Sequence, residues 1–291
     1  MEMRTRGEKI FSVVNAVILT VVAFICLYPF IYVLAVSLSD AQNVNMGNVW
    51  LIPKGFNLDA YNQIIHRENV WTSLGNSFFY MIVGTAFSMG LTVLGAYALS
   101  KKRLKGGRVL NLIVVFTMWF NAGMVHMYLN FKGMGLLDNR WAIILGFAVN
   151  TYNFIILRTY FANVPDALEE AAKIDGASDF SILLKVYLPL ALPSLATIGL
   201  FYAVEKWNSY FWPMILLQSD SKIPLQVLLK KMVVDMTSRL DSLEFGMDMQ
   251  GTSEDGYIYS TMVFAMIPML ILYPFVQRFF VKGVMIGSVK G

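Results

Sequence analysis

Charged residues are scarce in this chain of 291 residues. Asp, Glu, Lys and Arg together make up 14% of it, whereas hydrophobic residues make up 57%. Soluble domains usually carry about a quarter of their residues as charged ones. The shortage excludes an ordinary soluble protein and favours a chain whose main solvent is lipid.

Cysteine and nucleotide-binding motifs are scarce as well. Cys26 is the single cysteine and lies inside an apolar run, so no intrachain disulfide forms and a metal site would need other ligands. No G-x-x-x-x-G-K-[ST] motif occurs, which excludes a P-loop for ATP in this chain. The net charge is only +4 and the basic residues are scattered, which argues against nucleic-acid binding. We therefore expect no catalysis, metal or cofactor in this chain itself.

Long apolar runs are what the sequence has instead. Each is long enough to cross a bilayer core, which takes about 20 predominantly apolar residues. Lipid offers no partner for backbone amides, so each run should be an α-helix. The six predicted spans are Ile10–Ser37, Leu74–Ser100, Val109–Leu129, Trp141–Phe161, Leu190–Leu217 and Ile258–Val281. The predicted fold class is thus an all-α polytopic membrane protein with six transmembrane helices.

Basic residues predict the orientation, because short loops rich in Lys and Arg stay in the cytoplasm. Such residues flank both chain ends and fill the loop Lys101–Arg108, so both termini and this loop are predicted to be cytoplasmic. The segments Ser39–Ser73, Asn130–Arg140 and Gln218–Gly256 then face outward, the last with an amphipathic helix at Leu225–Met236. The first span exceeds the core of a signal peptide, about 7 to 15 residues, which favours a retained anchor.

The segment Asn163–Pro189 is too charged to be buried in lipid and lies on the predicted cytoplasmic side. Pro165, Asp166 and Glu169 are typical of a first helical turn, and the sequence through Ile174 is rich in helix formers. Gly176 is placed to end this helix with a positive φ. Ser178 then caps a second helix, which Pro189 stops or kinks. An ordinary re-entrant hairpin is the alternative interpretation.

A motif in this segment resembles a known family. Residues 170–177 follow the pattern E-A-A-x-x-D-G-A between two prolines, similar to the EAA loop of binding-protein-dependent ABC importers, whose permeases have the MetI-like fold. Ala96–Ser100, Trp207–Asn208, Trp212–Pro213 and the tail Phe280–Gly291 extend the resemblance, particularly towards permeases for complex or acidic oligosaccharides. His126 and Gly146 stand where relatives have proline, which leaves open whether the helix bends at His126.

The resemblance implies one membrane subunit of a type I ABC importer in the bacterial cell membrane. Its partners would be a second homologous permease, two ATP-binding subunits that hold ATP and Mg, and an extracytoplasmic substrate-binding lipoprotein or periplasmic protein. The chain 1–291 would be a single permease domain, with a first helix at 10–37 and a five-helix core at 74–281 that includes the loop 163–189. The residues assigned to ATPase coupling are Pro165, Glu169, Glu170, Ala171, Ala172, Asp175, Gly176, Ala177, Phe180 and Pro189.

Polar and aromatic residues within the spans are candidates for the substrate pathway, because polar groups in lipid are costly unless they face a cavity or a partner. Glu205 and Lys206 are adjacent and point to different helix faces, so one of them should meet water or the other permease. The aromatic residues are equally typical of packing or of the membrane interface. The candidates are Asn121, His126, Tyr152, Asn153, Glu205, Trp207, Asn208 and Tyr210.

Three other functions remain open on sequence grounds. The first is an ABC permease for a solute other than a sugar. An intramembrane enzyme is the second, with Ser77 and His126 as its only faint signal. A passive channel is the third, although it would not need an acidic cytoplasmic loop that ends in a glycine turn.

Overall fold

The computed structural model describes residues 6–120, 122–241 and 253–288. Regular structure in these ranges is helical, without a strand. Contacts group the chain into two compact units, one made of the residues up to Glu68 with Lys231–Met266, the other of Asn69–Lys230 with the residues from Ile267 onwards. The single domain predicted for 1–291, with its core at 74–281, stays a prediction.

Fifteen α-helices and one π-helical turn follow one another in the described residues. The helices are α1 Arg6–Ser37, α2 Ala41–Asn45, α3 Asp59–His66, α4 Glu68–Ser100, α5 Gly107–Trp119, α6 Met124–Gly133, α7 Arg140–Gly146, α8 Thr151–Ala162, α9 Asp166–Ile174, α10 Asp179–Ile182, α11 Leu188–Leu190, α12 Leu192–Asn208, α13 Phe211–Leu216, α14 Leu225–Asp241 and α15 Glu254–Ser288. The π-helical turn Leu183–Tyr187 joins α10 to α11. The helix predicted from Leu225 is confirmed as the first part of α14.

Three predicted spans are unbroken helices. The apolar stretch Ile10–Ser37 of α1 and the whole of α4 are long and apolar enough to cross a membrane. The helix α15 contains the sixth predicted span within one helix. These elements bear out the rule that a long apolar run without a polar interruption forms a continuous helix.

The third and fourth predicted spans were wrong as continuous helices. The third is interrupted between α5 and α6. The helix α5 ends at Trp119 with extended backbone at Phe120, and Gly123, with φ +84°, is the N-cap of α6. A break therefore occurs near His126 although proline is absent there. The fourth is interrupted between α7 and α8 with a bend of 44°. The side chain of Asn150 accepts hydrogen bonds from the backbone N–H groups of Tyr152 and Asn153, which starts a new helix.

The fifth predicted span was also wrong as one helix. It is divided into α12 and α13, with extended backbone at Ser209 between them. Pro213 lacks an N–H and fits the beginning of α13 better than the middle of a longer helix. A further bend of 86° precedes α12 at Ala191. The count of six membrane crossings remains a prediction, in which each broken pair makes one crossing.

The core of the second unit lies where α4, α8 and α12 meet. Its buried side chains include Ala96 of α4, Leu157 of α8 and Tyr202 of α12. The hydroxyls of Thr92 and Tyr202 form a hydrogen bond of 2.7 Å within this core, so both buried polar groups have a partner. Tyr187 of the π-helical turn belongs to the same core, which ties the segment after α9 firmly to the bundle.

Candidate functional site

Most of the segment 163–189 folds as its local sequence predicts. Pro165 is the N-cap of α9, and two acidic residues, Asp166 and Glu169, lie in its first turn, at the positive end of the helix dipole. Gly176 follows α9 with φ +78°, so the predicted left-handed turn is confirmed. The Ser178 hydroxyl then accepts a hydrogen bond from the backbone N–H of Ser181, which begins α10. The segment is therefore two short helices joined by a glycine turn.

Pro189 neither stops the second helix nor bends it at its own position. The chain stays helical through Leu190 and turns at Ala191. The wider π-helical turn comes just before the proline, and its bonds include the Leu188 N–H donating to the Leu183 carbonyl. A proline lacks its N–H and clashes with the carbonyl four residues before it, and a π turn gives that ring room. Because the π turn accommodates Pro189, the helix continues past the proline and bends at Ala191, two residues later than the sequence suggests.

Lys101 fastens α9 to the end of α4. Its ammonium lies 2.5 Å from the Glu169 carboxylate and over the rings of Tyr97 and Tyr187, 3.9 and 3.8 Å from their centroids. Tyr187 also donates a hydrogen bond of 2.9 Å to the same carboxylate. A cation enclosed by two aromatic faces and a carboxylate combines cation–π and ionic attraction. We call these four residues the lysine clamp.

Two further basic residues surround the lysine clamp. Lys173, one helical turn along α9, donates to Glu169 at 2.6 Å. Arg103 lies 2.6 Å from the carboxylate of Asp179 in α10 and 3.6 Å from Glu169. The basic loop after α4 thus contacts both short helices, and the two loops predicted to be cytoplasmic lie together.

The charge state of Glu169 follows from these contacts. Burial alone would raise the pKa of its carboxyl, since only 12% of the side chain is exposed. Hydrogen bonds from Lys101, Lys173 and Tyr187 outweigh burial and lower that pKa to about 2. Burial lowers the pKa of Lys101, although its bond to Glu169 opposes the shift. The geometry of a tight ion pair makes the anionic Glu169 the form that holds α9 in place.

The predicted coupling residues divide into two groups. Glu169, Ala172 and Ala177 turn towards the bundle, where the two alanines pack against the core of the second unit. The other predicted coupling residues lie on the side away from the bundle and are exposed. They are Pro165, Glu170, Ala171, Asp175, Gly176, Phe180 and Pro189. The segment therefore has one face fixed to its own bundle and another free for a second protein.

The exposed face of the segment, on the side away from the bundle, is apolar as well as acidic. Ile174, at the end of α9, is 86% exposed, and Leu168 and Phe180 are exposed too. Large exposed apolar side chains next to a rigid backbone are typical of a protein interface. Leu168 and Ile174 are apolar residues of the predicted first helix, although neither was among the residues assigned to coupling.

The predicted pathway residues that the structure describes include both buried and exposed side chains. Asn121 lies outside the described residues. Asn153 and Trp207 are buried, and the Trp207 ring lies 5.2 Å from that of Phe78, so neither reaches an open surface in this arrangement. The exposed candidates are His126, Tyr152, Glu205, Asn208 and Tyr210. A role in the pathway stays a prediction for all of them.

Glu205 and Lys206 point apart, as their adjacency predicts. Lys206 is buried in the second unit and donates a hydrogen bond to the carbonyl of Phe147, in the break between α7 and α8. This bond gives a partner to a carbonyl that the broken helix leaves unpaired. Glu205 is exposed, and its carboxylate accepts a hydrogen bond of 3.2 Å from the side-chain amide of Asn150.

A second polar cluster, which sequence reasoning missed, lies near the beginning of α4. The side-chain amide of Asn76 donates to the carbonyls of Ser221 and Ile223 at 2.9 and 3.0 Å, and its oxygen accepts from Arg140 at 2.8 Å. Tyr80 donates to the carbonyl of Lys222 at 2.8 Å. No local signal links residues about 145 positions apart in the chain. We call Asn76, Tyr80, Arg140 and the loop 218–223 the carbonyl knot.

Asp138 also binds the loop 218–223 of the carbonyl knot. The residue has φ +51°, and its carboxylate accepts hydrogen bonds from the backbone N–H groups of Gln218 and Ser219, both at 3.0 Å. Lys222 lies 2.6 Å from the same carboxylate. The bonds from Lys222 and Ser219 hold the pKa of Asp138 well below its usual value. Two loops predicted to face outward are thereby joined.

Comparison with known proteins identifies the family to which these features belong. The family model described as binding-protein-dependent transport system inner membrane component matches residues 92–286. The polygalacturonan/rhamnogalacturonan transport system permease protein YtcP of Bacillus subtilis is 43% identical over 98% of this chain and 99% of its own length. Protein LplC of Bacillus subtilis is 38% identical over 99% of this chain and 97% of its own length.

Solved structures agree with the sequence relatives. One chain in the crystal structure of a bacterial ABC transporter involved in the import of the acidic polysaccharide alginate is 44% identical, with a TM-score of 0.87 over 96% of this chain and 100% of that chain. A chain of a bacterial alginate ABC transporter in complex with an alginate pentasaccharide-bound periplasmic protein has a TM-score of 0.64 at 12% identity, which shows a shared fold alone. The chain therefore belongs to the family of binding-protein-dependent transport system inner membrane components, the permeases of ABC transporters.

Proposed function

We propose that this chain is a permease subunit of an ATP-driven importer for an acidic oligosaccharide or polysaccharide. Two relatives that cover nearly the whole chain support the substrate class, one named for polygalacturonan and rhamnogalacturonan, the other from a transporter of alginate. The alternative within the same family is a permease for a solute other than a sugar. In either case the permease would share substrate specificity with a binding protein, which the family description names.

We propose that residues 163–189 couple the permease to ATP hydrolysis by partner subunits. The observation that carries this proposal is the division of the segment into a fixed and a free face. Through Glu169 the lysine clamp connects α9 rigidly to the bundle, while Ile174 is left 86% exposed on the other side. A force applied to the exposed face would therefore move the bundle, because α9 cannot shift without straining the clamp. Such rigid-body motion is a known mode of switching.

The partners in this proposal are a second homologous permease, two ATP-binding subunits that hold ATP and Mg, and an extracytoplasmic binding protein. The pathway would lie between the two permeases. Exposed polar residues on membrane helices support this, since Glu205 facing lipid would be costly. Loops predicted for the same side of the membrane contact one another, which supports six crossings with both termini in the cytoplasm.

Gly176 offers a clean test of coupling. Its φ of +78° disfavours a β-branched side chain, while a Cβ there would meet no atom within 4 Å, so substitution introduces backbone strain without a clash. Gly176→Val should strain the turn by about 1 to 3 kcal/mol. We expect substrate-stimulated ATPase activity and uptake in the reconstituted complex to fall severalfold while the complex still assembles. Gly176→Asn should retain most activity, because asparagine tolerates the left-handed region.

Gly135 provides the matched control for that test. It has φ +68° and open space around its Cβ position, so Gly135→Val introduces the same strain outside the segment 163–189. We expect this variant to keep the ATPase activity coupled to uptake. Full uptake by Gly176→Val, or equal losses in the two valine variants, would contradict the coupling role.

The substrate class needs a separate measurement. Proteoliposomes that contain the complete complex and its binding protein should take up an oligogalacturonate in preference to a neutral malto-oligosaccharide of the same length. Stimulation of the ATPase by the acidic sugar alone would support the proposal. Equal stimulation by both would remove the acidic preference, and stimulation by neither would favour a solute other than a sugar.

A further inference from the structure

The loop from Met46 to Phe56 exposes large apolar side chains outside any helix long enough to span a membrane. Trp50, Leu51, Ile52 and Phe56 are between 53% and 75% exposed. Single exposed apolar residues are common, but four within seven positions form a patch that needs a partner. The coupling segment described above lies elsewhere in the chain and does not account for this patch.

The backbone of this loop is held to the end of α1. Asp40 donates its N–H to the carbonyl of Lys54 at 3.1 Å, and the N–H of Lys54 donates to the Ser39 hydroxyl at 3.0 Å. The N–H of Asn57 donates to the carbonyl of Leu38, also at 3.0 Å. The apolar side chains are therefore presented by a fixed backbone that returns to the residues immediately after the first span.

The buried contacts of Val49 show at which point along the length of α1 the loop lies. Val49 packs in a buried cluster with Ala35 and Val36, which belong to the last turn of α1. The apolar stretch that ends with this turn, Ile10–Ser37, is exposed along nearly all its length, as expected for a helix in lipid. Trp50, the next residue after Val49, must therefore lie near the level at which the span leaves the hydrocarbon.

We propose that the Met46–Phe56 loop is a membrane anchor whose apolar side chains insert into the boundary between lipid headgroups and acyl chains beside the end of α1. Tryptophan and aliphatic side chains at that depth match the composition of the membrane interface. Residues 41–58 contain Lys54 as their sole charged residue, and the acids Asp40 and Asp59 stand just outside this range. The occupant is the bilayer itself, whose surface continues directly from the exposed side of α1.

An anchor of this kind would fix the tilt and depth of the first span while the rest of the permease changes conformation. The inference rests on the chain being a membrane subunit but not on its substrate or its ATPase. The test measures the depth of the loop in the bilayer. The inference can therefore fail in a complex that transports normally, and it can hold in a complex that transports nothing.

Spin labels can measure the depth directly. Cys26 is the single cysteine and is exposed on α1, so its own label serves as the lipid reference, and Cys26→Ala gives the background for new sites. We would label Ile52→Cys and the polar neighbour Asn48→Cys in the complete complex in nanodiscs. Power saturation then compares oxygen, which concentrates in lipid, with a nickel chelate, which stays in water.

We expect the oxygen-to-nickel accessibility ratio at position 52 to exceed that at position 48 by about threefold, and to fall below that at Cys26, as for a side chain at the interface. A label at position 52 that the nickel chelate reaches as easily as position 48 would overturn the proposal. The proposal would also be overturned if position 52 were protected from the nickel chelate only when the binding protein is added, because the loop would then contact a protein partner.

Discussion

The two ends of α4 are held in different ways. Lys101, just beyond the C-terminal end, meets Glu169 through a side chain-to-side chain ion pair framed by two tyrosines. Asn76 and Tyr80, near the other end, bond instead to backbone carbonyls of the loop 218–223. Asn76 and Ser100 are 24 residues apart, so the lysine clamp and the carbonyl knot are separated by about 36 Å along the helix.

The difference indicates what each end is for. Bonds to backbone carbonyls fix the path of a loop regardless of the side chains that the loop carries. A clamp of side chains fixes one helix and leaves the outward side chains of that helix free, here Glu170 and Ile174. The carbonyl knot thus fixes the path of a loop, and the lysine clamp holds the helix whose exposed face we propose as the contact surface for a second protein.

The largest effect should come from removing the centre of the lysine clamp. Glu169→Ala leaves Lys101 largely buried without its carboxylate, and breaking such a pair costs about 3 kcal/mol. We expect the Tm of the purified complex to fall by roughly 6 °C or more. Glu170→Ala removes an exposed carboxylate next to it and should leave the Tm unchanged while weakening retention of the ATPase subunits. Equal Tm losses in the two variants would erase the distinction between fixed and free faces.

The carbonyl knot should respond to the side chain of Asn76 but not to that of Ser221. Asn76→Leu removes the amide that accepts from Arg140 and donates to the carbonyls of Ser221 and Ile223, which leaves the buried Ile223 carbonyl without this bond, at a cost of about 2 kcal/mol. Its Tm should fall, while the number of ATP molecules hydrolysed per substrate imported stays the same. Ser221→Ala keeps the backbone carbonyl and should match the wild type. A change in the coupling ratio of Asn76→Leu would show that the knot does more than fix the path of a loop.

Acid should release the lysine clamp within a defined range of pH. The pKa of Glu169 is lowered from 4.5 to about 2, so its stabilisation is complete above pH 4.5 and is lost as the pH falls through 2. The Tm difference between the wild type and Glu169→Gln, which carries no charge at that position, should therefore shrink between these two values. Scanning fluorimetry at half-unit steps measures this, and a constant difference down to pH 2.5 would contradict the assigned role of the charge.

The smallest effect should come from the exposed pair between Lys102 and Asp166. The two groups lie 2.9 Å apart, but both side chains are mostly in water. Solvent screening and side-chain entropy leave such pairs little net effect. Lys102→Gln should therefore match the wild type in Tm and in uptake at physiological salt. A clear loss would mean that the lysine clamp extends further into the basic loop than its burial suggests.

Local chemistry made part of the candidate site predictable. Gly176 needs a left-handed turn and Ser178 a helix to cap, and each rule uses only a few neighbouring residues. The motif in residues 170–177 then identified the family, which the matching family model confirmed. The inward turn of Glu169 was not predictable, because its partner Lys101 lies 68 positions away in the sequence.

Helix breaks were the main failure of sequence reasoning about the fold. Hydropathy detects apolar runs but not the backbone conformation of single residues inside them, such as Phe120, which is extended after α5, or Gly123, which has φ +84° before α6. The carbonyl knot was invisible for another reason, since its acceptors are backbone groups that every residue has. Asp138, predicted only as part of an outward segment, gains its role from residues about 80 positions away.

The exposed face of the segment 163–189 is the surface that we propose the ATP-binding subunits contact. Cross-linking can test this assignment, with Ile174→Cys in the Cys26→Ala background and a short reagent that alkylates this thiol and couples to a neighbouring protein on illumination, in inverted membrane vesicles. We predict a cross-linked product between this permease and an ATP-binding subunit, with a yield that changes when ATP is added. Modification of position 174 by an impermeant thiol reagent from outside intact cells, without any such product, would contradict the proposed contact.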